Sequence, residues 1–280
     1  MTNRPFEITT ADKLLRQNQM NQAIEVFSPN RVISKQTVRW MVGFQLVLLF
    51  FIWFFSPTVF LPKPKEVWQA LGEMWMEGLG GELITSFVLN LEAIAVATVL
   101  SLLMAYLTVI PFFRPIVTLL SKLRFLSMVG LTFFFALMST TGHEEKLYLL
   151  VFSVSVFFLT GMAEVVASVP KGEFDLARTL RMNEWRVVYE VVILGQADQA
   201  FEVLRQNAAM GWMMLTMVEG ISRSEGGVGT MLLNQNKHFH LSAVFAIQVT
   251  ILLLGLAQDY GLGLLREVFC PYADLTLERK

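Results

Sequence analysis

The chain has 280 residues, of which 54% are hydrophobic and 16% are charged, and its formal net charge is −1. Soluble domains carry about 25% charged residues, and apolar stretches of about 20 residues recur along this chain. The composition therefore excludes an ordinary soluble domain and indicates an all-α polytopic membrane protein, in which the single Cys270 excludes an internal disulfide.

The first predicted element is an N-terminal extension over residues 1–37. Its polar composition predicts that no signal peptide is cleaved, so the first apolar span inserts and stays. Residues 10–27 have the spacing of an amphipathic helix, with the apolar residues Leu14, Leu15, Ile24 and Phe27. This helix is predicted to lie on the inner membrane surface or to cover a partner; a solvated, partly disordered tail is the alternative.

Residues 38–272 form the predicted transmembrane domain, and residues 273–280 form a cytoplasmic tail. A span needs about 20 apolar residues, and this length predicts six transmembrane helices. They cover residues 39–56, 84–110, 125–140, 147–166, 203–221 and 241–265. The third is short or tilted, because its apolar run begins after Arg124 and ends at Met138.

The basic residues set the predicted orientation. With the N-terminus inside, the outer segments hold Lys63, Lys65, Lys146, Arg223 and Lys237, and the inner segments hold the other 17 of the 22 Lys and Arg residues. Basic residues concentrate on the cytoplasmic side. Both termini are therefore predicted to be cytoplasmic, in the cell inner (plasma) membrane.

The first outer segment contains Leu61-Pro62-Lys63-Pro64-Lys65-Glu66-Val67. Each proline fixes its own φ and disfavours helix in the residue before it, which predicts a rigid extended turn. From Glu66 to Trp75 we expect a short interfacial helix, because Trp68 and Trp75 suit the headgroup region.

A mixed-charge segment, residues 171–194, follows the fourth span. It begins Lys171-Gly172-Glu173-Phe174-Asp175-Leu176-Ala177-Arg178-Thr179-Leu180-Arg181 and ends Glu190-Val191-Val192-Ile193-Leu194. Pro170 is predicted to stop the helix before it. Helical spacing predicts one apolar face made of Phe174, Ala177, Leu180, Trp185, Val188 and Val192. A face that docks on a partner protein is one interpretation, and an ordinary amphipathic cytoplasmic loop is the other.

Four motifs in this order resemble the permease subunit of ABC importers of the nitrate, sulfonate and taurine type. The outer turn matches the family's Leu-Pro-x-Pro-x-x-Val. Residues 175–181 and 191–194 match its cytoplasmic Glu-Ala-Ala-Arg-x-Leu-Gly and Val-x-Leu-Pro. The fifth span carries Leu204-Arg205, Gly211-Trp212 and Glu219 before the turn Gly227-Val228-Gly229. The resemblance covers about residues 57–272.

The resemblance implies a type I ABC importer permease fold that forms half of a translocation pathway and has no enzymatic activity or cofactor of its own. It implies an ATPase-coupling set, Phe174, Asp175, Ala177, Arg178, Leu180 and Arg181. The implied partners are ABC ATPase subunits that bind ATP and Mg, a second permease chain, equal or different, and an extracytoplasmic substrate-binding protein in addition to the lipid membrane. No nucleic acid is expected. The implied substrate is a small solute such as nitrate, a sulfonate or taurine.

The chain departs from the family pattern at three positions: Asp175 replaces glutamate, Arg181 replaces glycine and Leu194 replaces proline. A non-glycine residue in the left-handed conformation costs roughly 1–2 kcal/mol. We therefore hypothesise that the hinge between two short helices has moved two residues, to Asn183, because asparagine tolerates that conformation.

Four residues are candidates for the translocation pathway or a gate: Glu92, Arg205, Trp212 and Glu219. Positions 205, 208, 212, 215 and 219 share one helix face. Arg205 and Glu219 are about 21 Å apart along that helix, so they cannot pair within it. Each either lines the pathway or extends to its own interface. Glu92 is either hydrated near the outer surface or buried as a proton sensor.

The outer loops allow further interpretations. Gly226-Gly227-Val228-Gly229 lacks the lysine of a nucleotide loop and predicts a tight bend that a binding protein approaches. His238 and His240 are either metal ligands or solvated loop residues. The functional alternatives are a proton-driven secondary transporter that uses Glu92 or Glu219, a membrane enzyme, and a divergent permease half with a structural or regulatory role.

Overall fold

The computed structural model describes residues 34–55, 61–222 and 225–271. These residues form helices joined by short connections, and no strand occurs among them. The predicted all-α class is therefore confirmed. The predicted amphipathic helix over residues 10–27 and the tail over residues 273–280 lie outside the described residues. The chain divides into two compact units, residues 1–64 and 65–280.

The first unit contains α1, Lys35–Phe55, whose 21 residues match the first predicted span. Ser34 precedes the helix, and its hydroxyl accepts a hydrogen bond from the Thr37 amide at 3.2 Å, as at a helix N-terminus. Near the other end, Trp53 Nε1 donates to the Pro62 carbonyl at 2.9 Å. This bond fastens α1 to the proline turn that the sequence predicted.

Ten further α-helices and one π-helix follow in the described part of the chain. They are α2 Pro64–Met76, α3 Leu79–Leu107, α4 Arg114–Lys122, α5 Met128–Met138, α6 Gly142–Ser168, α7 Lys171–Thr179, α8 Glu184–Val187, the π-helix Val188–Leu194, α9 Ala197–Ile221, α10 Val228–Lys237 and α11 Leu241–Phe269. The short helix expected after the proline turn is thus confirmed as α2.

Four described helices, α1, α3, α6 and α11, are long and apolar enough to cross a membrane. They confirm the first, second, fourth and sixth predicted spans. The third predicted span, over residues 125–140, is short as expected, because α5 covers only Met128–Met138. Extended backbone at Leu126 and Ser127 interrupts the helix, and α4 with its short 3-10 turn meets α5 at a bend of 110°. Counting this bent pair as one span gives a fifth. The fifth predicted span corresponds to α9, which has 25 residues but is not among the described helices that are apolar enough to cross a membrane. The described residues therefore contain four or five such spans instead of the six predicted.

Small residues along α3 allow it to pack closely against α6. Those that are buried at helical spacing are Ser86, Ala93, Ala97, Ser101 and Ala105. Ser101 Oγ donates to the Ser155 carbonyl of α6 at 3.0 Å, which requires the two helices to approach closely. Gly161 has the same role between α6 and α9, because a Cβ there would lie 2.9 Å from a methyl carbon of Val203.

Candidate functional site

The mixed-charge segment forms two short helices, as the sequence predicted. Helix α6 ends at Ser168, Pro170 precedes α7, and α8 begins after Asn183. The connection is a Schellman turn: the Arg181 amide donates to the Arg178 carbonyl at 2.9 Å and the Met182 amide donates to the Ala177 carbonyl at 3.4 Å. This turn satisfies carbonyls at the end of α7 that would otherwise lack partners.

The structure overturns the hypothesis of a shifted hinge. Arg181 itself has φ 56°, the left-handed conformation that a glycine would adopt easily. Asn183 has φ −73° and ψ 158°, and its side chain accepts a hydrogen bond from the Arg186 amide at 2.8 Å. Asparagine therefore caps α8, while the arginine makes the turn at the position of the family glycine.

Arg178 joins the two short helices across this turn. Its Nε and Nη2 donate to the two carboxylate oxygens of Glu184 at 3.0 and 3.2 Å, a bidentate pair with good geometry. Asp175 lies farther away, at 3.5 Å from Nη1. The hydrogen bonds and charge of Arg178 lower the pKa of Glu184 from its ordinary value of 4.5. Glu184 is therefore a functional candidate that the sequence analysis missed.

The predicted single apolar face of this segment was wrong, because the turn at Arg181 restarts the helical register. Ala177 is 6% exposed, and Val192 is fully buried. Leu180 and Trp185 are 64% and 73% exposed. The inner residues hold the segment against the protein, whereas the exposed ones, together with Leu176 and Asp175, form an outer surface. Phe174 is half-buried.

The segment reaches α9 through the π-helix. The Gly195 amide donates to the Glu190 carbonyl at 3.0 Å, five residues back, as in π-helical hydrogen bonding. A Cβ on Gly195 would lie 2.5 Å from the Val191 carbonyl oxygen, so the position requires glycine. Leu194 continues this helix, which the proline of the family pattern would interrupt because it has no N–H.

Three contacts fasten α9 to its neighbours, and the first involves Arg205. Its Nε and Nη2 donate to the Asp259 carboxylate of α11 at 3.0 and 2.8 Å. Arg266 of α11 pairs in turn with Asp198 of α9. Arg205, one of the predicted pathway or gate candidates, is therefore engaged with α11.

The second contact lies in the middle of α9, around the predicted candidate Trp212. Its Nε1 donates to Gln258 Oε1 at 2.7 Å, and Asn90 Nδ2 of α3 donates to the same oxygen at 3.1 Å. All three side chains are buried, so this polar junction connects α3, α9 and α11. On the predicted face of α9, Ala208, Trp212, Leu215 and Glu219 are all buried in the described chain. Their role in a pathway or gate stays a prediction.

The third contact is at Glu219, which is 1% exposed. Its carboxylate oxygens accept from Ser86 Oγ of α3 at 2.6 Å and from the Gly229 amide at 2.7 Å. The Val228 amide donates to the same Ser86 hydroxyl at 2.9 Å. Glu219 thus holds the first turn of α10, where a negative charge is favourable.

The predicted tight bend before α10 is confirmed, and hydrogen bonds and close packing hold it in place. Gly226 and Gly227 have φ 72° and 109°. The Gly227 amide donates to the Glu82 carboxylate, and the buried Lys146 donates to the Gly226 carbonyl at 2.7 Å. Gly229 lies so close to α9 that a Cβ would overlap the backbone of Thr216. Glu82, Glu219 and Lys146 therefore fix this turn, in which Gly227 and Gly229 have no room for a Cβ.

The remaining candidate, Glu92, is separate from these clusters. Its side chain is 47% exposed and its Oε2 lies 3.1 Å from Nε2 of the half-exposed His143. Glu92 is thus not buried within the described chain, and its two interpretations, a hydrated residue near the outer surface or a proton sensor, stay predictions. His238 and His240 are exposed, and their ring centroids lie 5.9 Å apart.

The comparisons with known proteins bear on the class of the chain. No protein-family model matches it. A protein of Methanocaldococcus jannaschii named "Putative ABC transporter permease protein" is 25% identical over 228 residues, which are 77% of this chain and 84% of that protein. This similarity supports the general class of ABC transporter permease, a membrane-embedded transport subunit, for the chain described here. The nitrate, sulfonate and taurine subtype stays a prediction.

Proposed function

We propose that the chain is the transmembrane permease subunit of an ATP-driven importer. It would lie in the cell inner (plasma) membrane, with both termini in the cytoplasm. One observation carries the proposal. A segment between two long helices folds into two short helices that expose apolar side chains, among them Leu180 and Trp185. The 25% identity to a protein named as a permease supports the same conclusion.

The ATPase contact in this proposal is the outer surface of the segment. Asp175, Leu176, Leu180 and Trp185 supply it, because they are exposed. Arg178 holds α7 and α8 in one arrangement through Glu184, so that a push on α7 moves both short helices. Ala177 stays on the inner face as a packing residue. The ATPase subunits bind ATP and Mg, and this chain contributes no catalytic group.

Movement of the segment would reach the pathway through α9. The π-helix connects directly to α9, which carries Arg205, Trp212 and Glu219. Since one such bundle would form half of a pathway, a second permease chain completes it. An extracytoplasmic binding protein would deliver the solute at the outer side, near the turn that precedes α10. The resemblance favours a small oxyanion or an organic sulfonate as the solute.

The test uses the full chain expressed with the ATPase encoded beside it. Co-purification of the two and ATP-dependent accumulation of solute in proteoliposomes would support the proposal. Arg178→Glu should abolish uptake while ATP hydrolysis continues, because it repels Glu184 and opens the α7–α8 pair. Arg124→Glu is the matched control, because it reverses an exposed charge in the 3-10 turn after α4, outside the mixed-charge segment. ATP-independent uptake by the isolated chain would instead identify a secondary transporter.

A further inference from the structure

A cavity of about 740 Å³ lies where α3 and α6 end. Its walls come from the end of α3, helix α4, the last turns of α6 and the mixed-charge segment. Helices α3 and α6 are both long and apolar enough to cross a membrane, and they end at Leu107 and Ser168. The cavity is therefore at the level where a spanning helix leaves the hydrocarbon and enters the headgroup region.

Two cations at this cavity are available to an anion. Arg114 Nε donates to the Thr108 carbonyl at 2.9 Å, and its terminal nitrogens remain for a ligand. Lys171, the first residue of α7, lines the same cavity. Among the described residues, neither side chain forms an ion pair with a carboxylate. The third cation, Arg178, is neutralised by Glu184, so the cavity has an excess of positive charge.

Part of the cavity wall is apolar, and part is made of threonine and serine side chains. The accessible apolar side chains come from three elements: Val166 of α6, Phe174 of α7 and Val188 of the π-helix are half-buried and line the cavity. Ala163 adds further apolar surface. A small soluble anion would gain nothing from these apolar side chains, whereas an amphiphile with an anionic head would use both the cations and the apolar side chains.

We propose that this cavity binds the phosphate-bearing headgroup of an anionic membrane phospholipid, with Arg114 and Lys171 as its charge partners. The glycerol and upper acyl carbons would contact the side chains of Val166, Phe174 and Val188. Because Lys171 and Phe174 belong to α7, a bound lipid would also support the mixed-charge segment from its inner face. The inference goes beyond the proposed function and requires only that the chain lies in a membrane.

The experiment measures lipid binding to the purified full chain in detergent by native mass spectrometry. Dioleoylphosphatidylglycerol should bind more tightly than the zwitterionic dioleoylphosphatidylcholine. Each cation near a membrane surface favours an anionic lipid by about fivefold in affinity. Arg114→Gln and Lys171→Gln should therefore each weaken phosphatidylglycerol binding about fivefold, and the double variant by about 30-fold. Lys122→Gln, which removes an exposed charge of α4 outside the cavity, should change the affinity by less than about twofold.

Three results would overturn the inference. Equal affinity of the unmodified chain for the two lipids would refute an anionic site, whatever the variants do. An equal loss in Lys122→Gln would mean that the whole basic surface attracts the lipid. Displacement of bound phosphatidylglycerol by inorganic phosphate at millimolar concentration would identify a soluble anion as the ligand. No ATPase or solute is needed in these measurements, so their failure leaves the proposed transport function untouched.

Discussion

Replacing Arg181 by glycine should stabilise the turn between α7 and α8. The residue has φ 56°, a conformation that costs a non-glycine residue roughly 1–2 kcal/mol. Glycine removes this cost but loses about 0.5–1 kcal/mol more conformational entropy on folding. The net gain is about 0.5–1 kcal/mol, which corresponds to about two- to fivefold in the equilibrium for opening the turn.

Hydrogen exchange in the detergent-solubilised protein measures this gain directly. The informative amides are those of residues 181 and 182, because both donate to carbonyls of α7. Their exchange should slow about two- to fivefold in Arg181→Gly. The matched control is Arg186→Gly in α8, where glycine enters a helix and should speed local exchange by a similar factor. Faster exchange in Arg181→Gly would refute the left-handed turn.

Three further predictions concern single positions. Because the pKa of Glu184 is lowered, its ion pair with Arg178 is intact above pH 4.5 and is lost as the pH falls through the lowered pKa. A carbon-13 NMR titration of the Glu184 carboxyl should therefore give a midpoint below 4.5. Gly195→Ala should destabilise the protein by about 1–3 kcal/mol in denaturant unfolding, since its Cβ would strike a backbone carbonyl. By contrast, Gly172→Ala enters open space in a helix and should be neutral or stabilising by up to about 1 kcal/mol. Ser86→Ala should lower the free energy of unfolding by about 1–3 kcal/mol, because the buried Glu219 carboxylate loses a hydrogen-bond donor. As a control, Thr85→Ala at the neighbouring exposed position should lower it by less than about 0.5 kcal/mol.

The sequence predicted where the mixed-charge segment breaks but not how it turns. The expectation that arginine avoids positive φ favoured Asn183, yet two backbone hydrogen bonds of the Schellman turn form at Arg181 and help to offset the cost. The predicted apolar face failed for a related reason. Helical spacing holds only within one continuous helix, and residues after the turn, such as Trp185, begin a new register.

The contacts around α9 were predicted only in part. The sequence indicated that Glu219 precedes a glycine turn, because both lie in one short stretch of the chain. The other partner of Glu219, Ser86, is 133 residues away, and no local pattern indicates such a pairing. Arg205 and Asp259 offered a usable signal, since opposite charges within membrane spans tend to pair. No comparable signal in the sequence indicated Gln258. Its Oε1 accepts hydrogen bonds from Trp212 and Asn90, which are far from it in the sequence and meet it only in the folded chain.

The contacts of α9 constrain how the mixed-charge segment could act on the rest of the bundle. At one end Arg205 binds Asp259 of α11, and about 21 Å farther along Glu219 binds Ser86 of α3 and the start of α10. A shift of α9 along its axis would break the hydrogen bonds of the buried Glu219 carboxylate. Breaking these bonds costs more free energy than separating the partly exposed Arg205–Asp259 ion pair. The Arg205 end is therefore the one expected to yield first. A push delivered through the π-helix should pivot α9 about its Glu219 end, so that the largest displacement falls beside α11.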